Sequence, residues 1–278
     1  MARLSVSASV GEILRGERRL DATYYASAVY RARTVLDAFE NRGGTTTELS
    51  TLSGGTYNPP PIKRIYTDDP NKGTPYMLPQ EMFDFYWEPK KFVLADKMYD
   101  INSWFLKENW IVLTQSGTVG KPYLATEADA GIVLSQNAIR IPVDDSHAAG
   151  FLYTYLATWI GQTLLKRDEF GITVKHIRPH HVDAIRVPKI DVESRNSIGA
   201  KVVEAFRLRQ EAIALIRAAK AQLLHALGAP DSVPLEDDEA PTEASESSLR
   251  RAARSRKTSS KKRKGRKAPS RKSTQKRR

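Results

Sequence analysis

The chain has 278 residues, 44 Lys and Arg against 32 Asp and Glu, no Cys and 40% hydrophobic residues. That length fits one large domain or two modest ones at roughly 100–200 residues each. Zero cysteines exclude a disulfide scaffold, a Cys-ligated zinc site and a catalytic thiol. No run reaches the roughly 20 apolar residues that span a bilayer, and residues 1–10 lack the apolar centre of a secretory signal. The expectation is a soluble cytoplasmic protein with no membrane partner.

The net charge of +12 is unevenly placed. Residues 249–278 hold 16 of the bases and no acid, while residues 231–248 hold seven acids and no base. The remaining 230 residues carry 28 bases and 25 acids. The basic character therefore belongs to the tail, and any nucleic-acid contact by the body must rest on local residues.

In chain order, residues 21–41 read as a helix, because Tyr25, Ala28, Val29, Ala32, Val35, Leu36 and Phe39 recur at three- and four-residue steps. Asp21 is the expected N-cap and Gly43-Gly44 the expected stop. Residues 45–188 hold short β-rich runs at 92–94, 110–114, 131–134 and 138–142, separated by Gly, Pro, Asn and Asp turns. That pattern predicts an α+β domain with a mixed sheet, interrupted by one helix over 146–170. Residues 192–227 are the longest periodic element. Ile198, Val202, Ala205, Arg209, Ala212, Ile216, Ala219, Leu223 and Ala226 step by fours and threes, widened by Val203, Phe206, Ile213, Leu224 and Leu227. Such a stripe predicts a coiled-coil-like rod of roughly 50 Å that needs a partner, either the 21–41 helix or another chain. Residues 229–248 read as an acidic linker and 249–278 as a disordered basic tail.

Several catalytic motifs are incomplete. Asn58-Pro59-Pro60-Pro61 lacks the aromatic fourth residue of an amino-methyltransferase tetrapeptide and reads as a turn. Gly120-Lys121 has Gln115 where a phosphate-binding loop needs its first glycine, and Pro122 where it needs Ser or Thr. Asp69, Glu88 and Lys90 have the spacing of a metal-dependent nuclease, although Asp68-Asp69-Pro70 also reads as a turn. His180-His181 lacks a third ligand at helical spacing and reads as a surface turn.

Six segments in order resemble the specificity (S) subunit of type I restriction–modification systems. These are Arg19-Leu20-Asp21-Ala22-Thr23-Tyr24-Tyr25, residues 113–121 (LTQSGTVGK), residues 135–141 (SQNAIRI), the Gly-Gln helix and glycine loop of 153–173, His176-Ile177-Arg178-Pro179 with Ile185-Arg186-Val187-Pro188, and the Arg/Gln/Ala-rich helix ending at Leu227. Whole S subunits carry two target-recognition domains and two long helices, and this chain has one of each. The resemblance therefore implies a half-length form: residues 1–44 as an N-terminal segment and helix, 45–190 as a target-recognition domain, and 191–228 as a spacer and dimerisation helix.

What the resemblance implies is a non-catalytic DNA reader that directs a DNA adenine methyltransferase, in bacterial restriction–modification or a related phage defence. Its partners would be double-stranded DNA, a methyltransferase subunit, a second copy of itself and a restriction or translocase subunit. It would bind no cofactor, S-adenosylmethionine sitting on the methyltransferase. Three groups have side chains suited to phosphates and base edges: Tyr57, Asn58, Lys63, Arg64 and Tyr66; Gln115, Ser116, Thr118, Lys121 and Tyr123 around a tight glycine loop; and Gln136, Asn137 and Arg140. Ile198, Val202, Phe206, Ile213, Ile216 and Leu223 are the expected assembly positions. The alternative from another class is a stand-alone nuclease using Asp69, Glu88 and Lys90.

Overall fold

The structure, a computed structural model, describes residues 9–15 and 24–230. It divides into two compact units, Met1–Ala219 and Lys220–Arg278, the second described only as the last turns of one helix and Gly228–Pro230. The expected N-cap Asp21, most of the acidic linker and all of the basic tail lie outside the described residues. Among those described, no helix is long and apolar enough to cross a membrane.

The first unit is a mixed α+β domain carrying a long helix. Its centre is an antiparallel sheet in the order β6 (Pro122–Leu124), β5 (Ile111–Thr114), β8 (Ala138–Ile141). All four β5 residues are buried, because successive side chains enter different cores. Ile111 and Leu113 join Ile139 and Ile141 beneath the helices, whereas Val112 joins Ala138, Tyr123 and Leu134 on the other side. A second sheet runs β2 (Tyr66–Thr67), β4 (Phe92–Val93), β3 (Thr74–Met77), β7 (Val133–Leu134), with β3 and β7 parallel. It closes a third cluster around Tyr76, Val93 and Trp104.

The helices correct three expectations. Helix α2 spans Ser27–Asn41, after a short α1 at Val10–Arg15, and its N-cap is Ala26 rather than Asp21. It stops at Gly43, whose φ of +89° suits glycine. The single helix expected over 146–170 is two, α3 (Ser146–Ala157) and α4 (Trp159–Arg167). Thr158 leaves helical geometry, and its Oγ1 accepts from the Gly161 N–H at 3.2 Å to start the second helix. A Cβ on Gly161 would lie 2.3 Å from the Tyr155 carbonyl, so the bend requires glycine there. The Gln162 Nε2 then donates to the Gly120 and Leu156 carbonyls at 2.8 Å each, tying the bend to the glycine loop. Finally, His180 and His181 lie in a short helix, α5 (Pro179–Asp183), begun by Pro179.

Strand β9 (Arg186–Lys189) returns to pair antiparallel with β1 (Thr45–Glu48). Arg186 adds ion pairs to Asp37 and Glu40, so α2 is held to the chain's exit from the sheet. From there α6 (Val192–Leu227) begins, capped by Asp191 Oδ1, which accepts from the Ser194 N–H at 2.8 Å. Gly199 lets α6 approach α3 closely, since a Cβ there would meet the His147 carbonyl at 2.0 Å.

The apolar stripe of α6 is satisfied differently from its expected reading. Ile198, Val202 and Phe206 pack against the domain core, and Ile213 is buried. The Phe206 ring meets those of Tyr123 and Tyr153 edge-on at 5.8 and 5.3 Å. Arg209, the lone charge in the stripe, lies over the Tyr123 ring and donates to the Asp84 carbonyl. This half of the helix thus packs on its own domain. Leu208, Leu215 and Ile216 remain exposed, as does Leu223.

Candidate nucleic-acid interface

The tight turn between β5 and β6 is built by two glycines with φ near +76°, Gly117 and Gly120. Four of its backbone amides donate within the protein. Gly117 N–H donates to Lys175, Val119 to Gly117 and Gly120 to Thr114, and the Lys121 N–H donates to the Thr114 hydroxyl. The Thr114 hydroxyl in turn donates to the Thr118 carbonyl. These bonds hold the loop in shape, and the side chains of Thr118 and Lys121 face outward.

Those side chains border a cleft of ≈ 360 Å³ between the turn and the 78–83 segment. Thr118, Lys121 and Asn137 are exposed on it, with Ser116 half-buried beside them. The Lys121 Nζ lies 3.7 Å from the centroid of the Phe83 ring. Ser116 Oγ and His176 Nδ1 are 2.7 Å apart, and Ile177 N–H donates to the Gln115 carbonyl, so the turn is locked to the 176–178 segment. Gln115 N–H donates to the Asn137 carbonyl, which brings the third segment in. Three stretches distant in sequence thus form one polar rim with a cation.

Two of the expected DNA-contacting residues, Arg140 and Tyr123, are internal instead, and Asn58 is half-buried with its side-chain amide engaged within the protein. Arg140 is fully buried in β8, its guanidinium donating to the carbonyls of Leu134, Ser135 and Ala138 at 2.6–3.0 Å. Burial pushes that guanidinium down to about 10, offset in part by the Tyr57 and Tyr76 phenols, which leaves it charged at neutral pH. Tyr123 is buried with its hydroxyl donating to Asp129, and burial followed by the Asp129 carboxylate raises its pKa strongly. Asn58 Nδ2 donates to Gln115 Oε1 and to the carbonyls of Gln136 and Ala138, fixing the proline-rich segment against β8. These contacts explain those residue types without DNA.

The remaining expected positions divide. Tyr57 is half-buried, edge-on to Trp110 at 6.0 Å, with its phenol raised by burial. Gln136 is half-buried, and its Oε1 has no hydrogen-bond partner. Lys63 and Tyr66 are exposed on a separate patch near β2, where Arg64 Nη1 donates to the Tyr76 hydroxyl at 2.9 Å. The structure does not bring this patch into the cleft. Gln80, Lys175, His176 and Arg178 were not among the expected residues; Gln80 lies on the cleft and the other three on its flank. Only a pairing of residues 115–117 with 175–177 would have revealed the flank, and no local pattern encodes it.

Asp69, the first of the nuclease positions, is engaged in a turn. Asp69 Oδ1 accepts from the Asn71 N–H at 3.0 Å, and its carboxylate pairs with Lys72 at 2.9 Å, which also holds its pKa low. Among the described residues no three His, Asp or Glu side chains stand where they could share a metal ion.

No protein-family model matches the chain, and no curated protein matches it. Several solved structures are similar to it. The S subunit of a type I restriction-modification system from M. genitalium is 17% identical at a TM-score of 0.40, covering 66% of this chain and 44% of that one. The HsdS subunit from Thermoanaerobacter tengcongensis is 15% identical at 0.43, covering 75% and 49%. The type IIG restriction endonuclease BpuSI is 10% identical at 0.42, covering 70% and 30%. The chain spans about half the length of the S subunits it matches.

Proposed function

We propose that this chain is a DNA-reading subunit, with residues 45–190 recognising a short sequence and α6 serving assembly with a DNA methyltransferase. The observation that carries the reading is the rim of Thr118, Lys121 and Asn137 around the cleft, anchored by the Ser116–His176 contact. A cation beside hydroxyl and amide groups on a rigid sheet edge combines phosphate positioning with base-edge hydrogen bonding. The six segments resembling S subunits point the same way. The exposed Leu208, Leu215 and Ile216 offer an apolar face for pairing with a second copy. On this reading S-adenosylmethionine is held by the methyltransferase and not by this chain, and a restriction or translocase subunit joins the same assembly. The basic tail, outside the described residues, adds affinity for any duplex through phosphate neutralisation.

Selection tests the reading. The full chain is incubated with a random-sequence duplex pool at about 150 mM salt, and bound duplexes are recovered and sequenced. Enrichment of one short motif, with the DNA left intact when Mg²⁺ is added, is the expected outcome. Metal-dependent cleavage without enrichment would overturn it in favour of a nuclease.

A further inference from the structure

Beside the rim stands a short hairpin. Phe170 and His176 pair as an antiparallel bridge, exchanging both backbone hydrogen bonds at 2.9–3.0 Å. The five residues between them, Gly171–Lys175, are all exposed. Gly171 has φ +100°, and a Cβ on it would lie 2.2 Å from the Val174 carbonyl, so the loop's tight closure excludes any other residue there. The base is braced by Gly117 N–H donating to the Lys175 carbonyl and by Arg178 lying 4.8 Å from the Phe170 ring centroid.

The chemistry of the tip contradicts its position. Ile172 is fully exposed at 101%, and Val174 is 47% exposed. A single exposed apolar residue needs no explanation, but here two sit on a loop whose shape is enforced. One isoleucine and one valine are far too little area for a stable protein interface, which buries roughly 1,200–2,000 Å². Their surroundings are cationic: Lys175 and Arg178 are exposed beside them, and Lys121 stands on the adjoining rim. At the foot, Asp168 is buried and paired with Arg167. A small apolar point among cations matches one occupant, the stacked bases of a duplex whose phosphates the cations hold.

We propose that Ile172 is a wedge that enters the DNA between two base pairs and kinks the duplex. Apolar side chains inserted at a base step unstack it and bend DNA by roughly 20–90°. This rests on the DNA-reading function above and deepens it, because the kink adds sequence dependence at a step that no hydrogen bond touches: flexible pyrimidine–purine steps bend most readily.

The test uses the full chain and an end-labelled donor–acceptor duplex carrying the motif recovered by selection. Energy transfer reads the bend and anisotropy reads the affinity. Wild type should raise energy transfer on binding. Ile172→Ala should lose that rise and bind on the order of tenfold more weakly, the loss of one buried isoleucine side chain. Ile172→Phe, still large and apolar, should retain the bend, while Ile172→Lys should bind yet leave the duplex straight. Thermal midpoints should be equal in all four, since the side chain contacts nothing in the fold. A bend that survives Ile172→Ala and Ile172→Lys overturns the wedge while leaving DNA reading intact. Equal affinity and bend in every variant would likewise overturn the wedge. Failure of wild type to bind any duplex overturns both readings.

Discussion

Arg140 lies on β8 and Lys121 just before β6, the two strands that flank β5, yet their environments are opposite. Arg140 points into the domain, fully buried, and donates to three carbonyls. Lys121 stands at the mouth of a cleft, exposed, over the face of Phe83. The first holds the 134–138 turn in shape, and the second is available to a ligand. What separates them is register: in β8 alternate residues face the two cores, so residue 140 must go in with residue 138, whereas residue 121 precedes its strand and escapes the alternation. Chemical type alone does not distinguish a reader from a structural cation.

Replacing Arg140 gives the largest expected effect. Arg140→Met keeps much of the volume but strips donors from the carbonyls of Leu134 and Ser135 and one donor from that of Ala138. Each abandoned buried acceptor costs about 1–3 kcal/mol, so a loss of about 3 kcal/mol or more is expected in urea unfolding. If Arg140 instead touched bases, the variant would unfold normally and lose sequence preference, which would erase the comparison.

The periodic and turn-bounded elements were legible in the sequence. Helix α6 runs over Val192–Leu227 as its stripe predicts, and the β5 and β8 runs fall within one residue of their expected bounds. The break at Thr158 was not legible, because Leu152, Tyr155, Leu156 and Leu164 keep helical spacing across it and only tertiary contacts to Gly120 show the bend. The site was legible in part. Ser116, Thr118, Lys121 and Asn137 do meet at the rim, since turn residues that follow short buried strands gather at a sheet edge. Arg140 and Tyr123 were misread because polar side chains in short strands look identical whether they face water or turn inward. The flank at 175–178 depends on a long-range pairing, which leaves no periodic trace.

The same division recurs along α6, at intermediate size. Ile213 is 6% exposed and Ile216, one turn on, is 38% exposed. Ile213→Ala should cost about 2–5 kcal/mol of stability, as other buried isoleucine truncations do. Ile216→Glu should change stability by no more than about 0.5 kcal/mol and instead weaken assembly with the methyltransferase or a second copy. Sedimentation and urea unfolding on both variants separate the two effects. Equal destabilisation would mean that the helix is packed around its whole circumference and offers no assembly face.

Removing the Lys121 cation should have the smallest effect and the most specific one. Lys121→Ala deletes no hydrogen bond that the fold uses, because the Lys121 backbone N–H keeps its bond to Thr114. Stability should therefore hold within about 0.5 kcal/mol. Loss of a single phosphate contact lowers the slope of log affinity against log salt by about 0.9, and it weakens random and selected duplexes alike. Asn137→Ala on the same rim should do the reverse, sparing random-sequence binding and relaxing preference at one base pair by about 1–3 kcal/mol. Anisotropy titrations of both variants across a salt series read all four quantities. A Lys121→Ala protein with unchanged slope would move the phosphate contacts away from this rim, to the Lys63–Tyr66 patch or to the tail, and Arg140 and Lys121 would then differ in burial without differing in function.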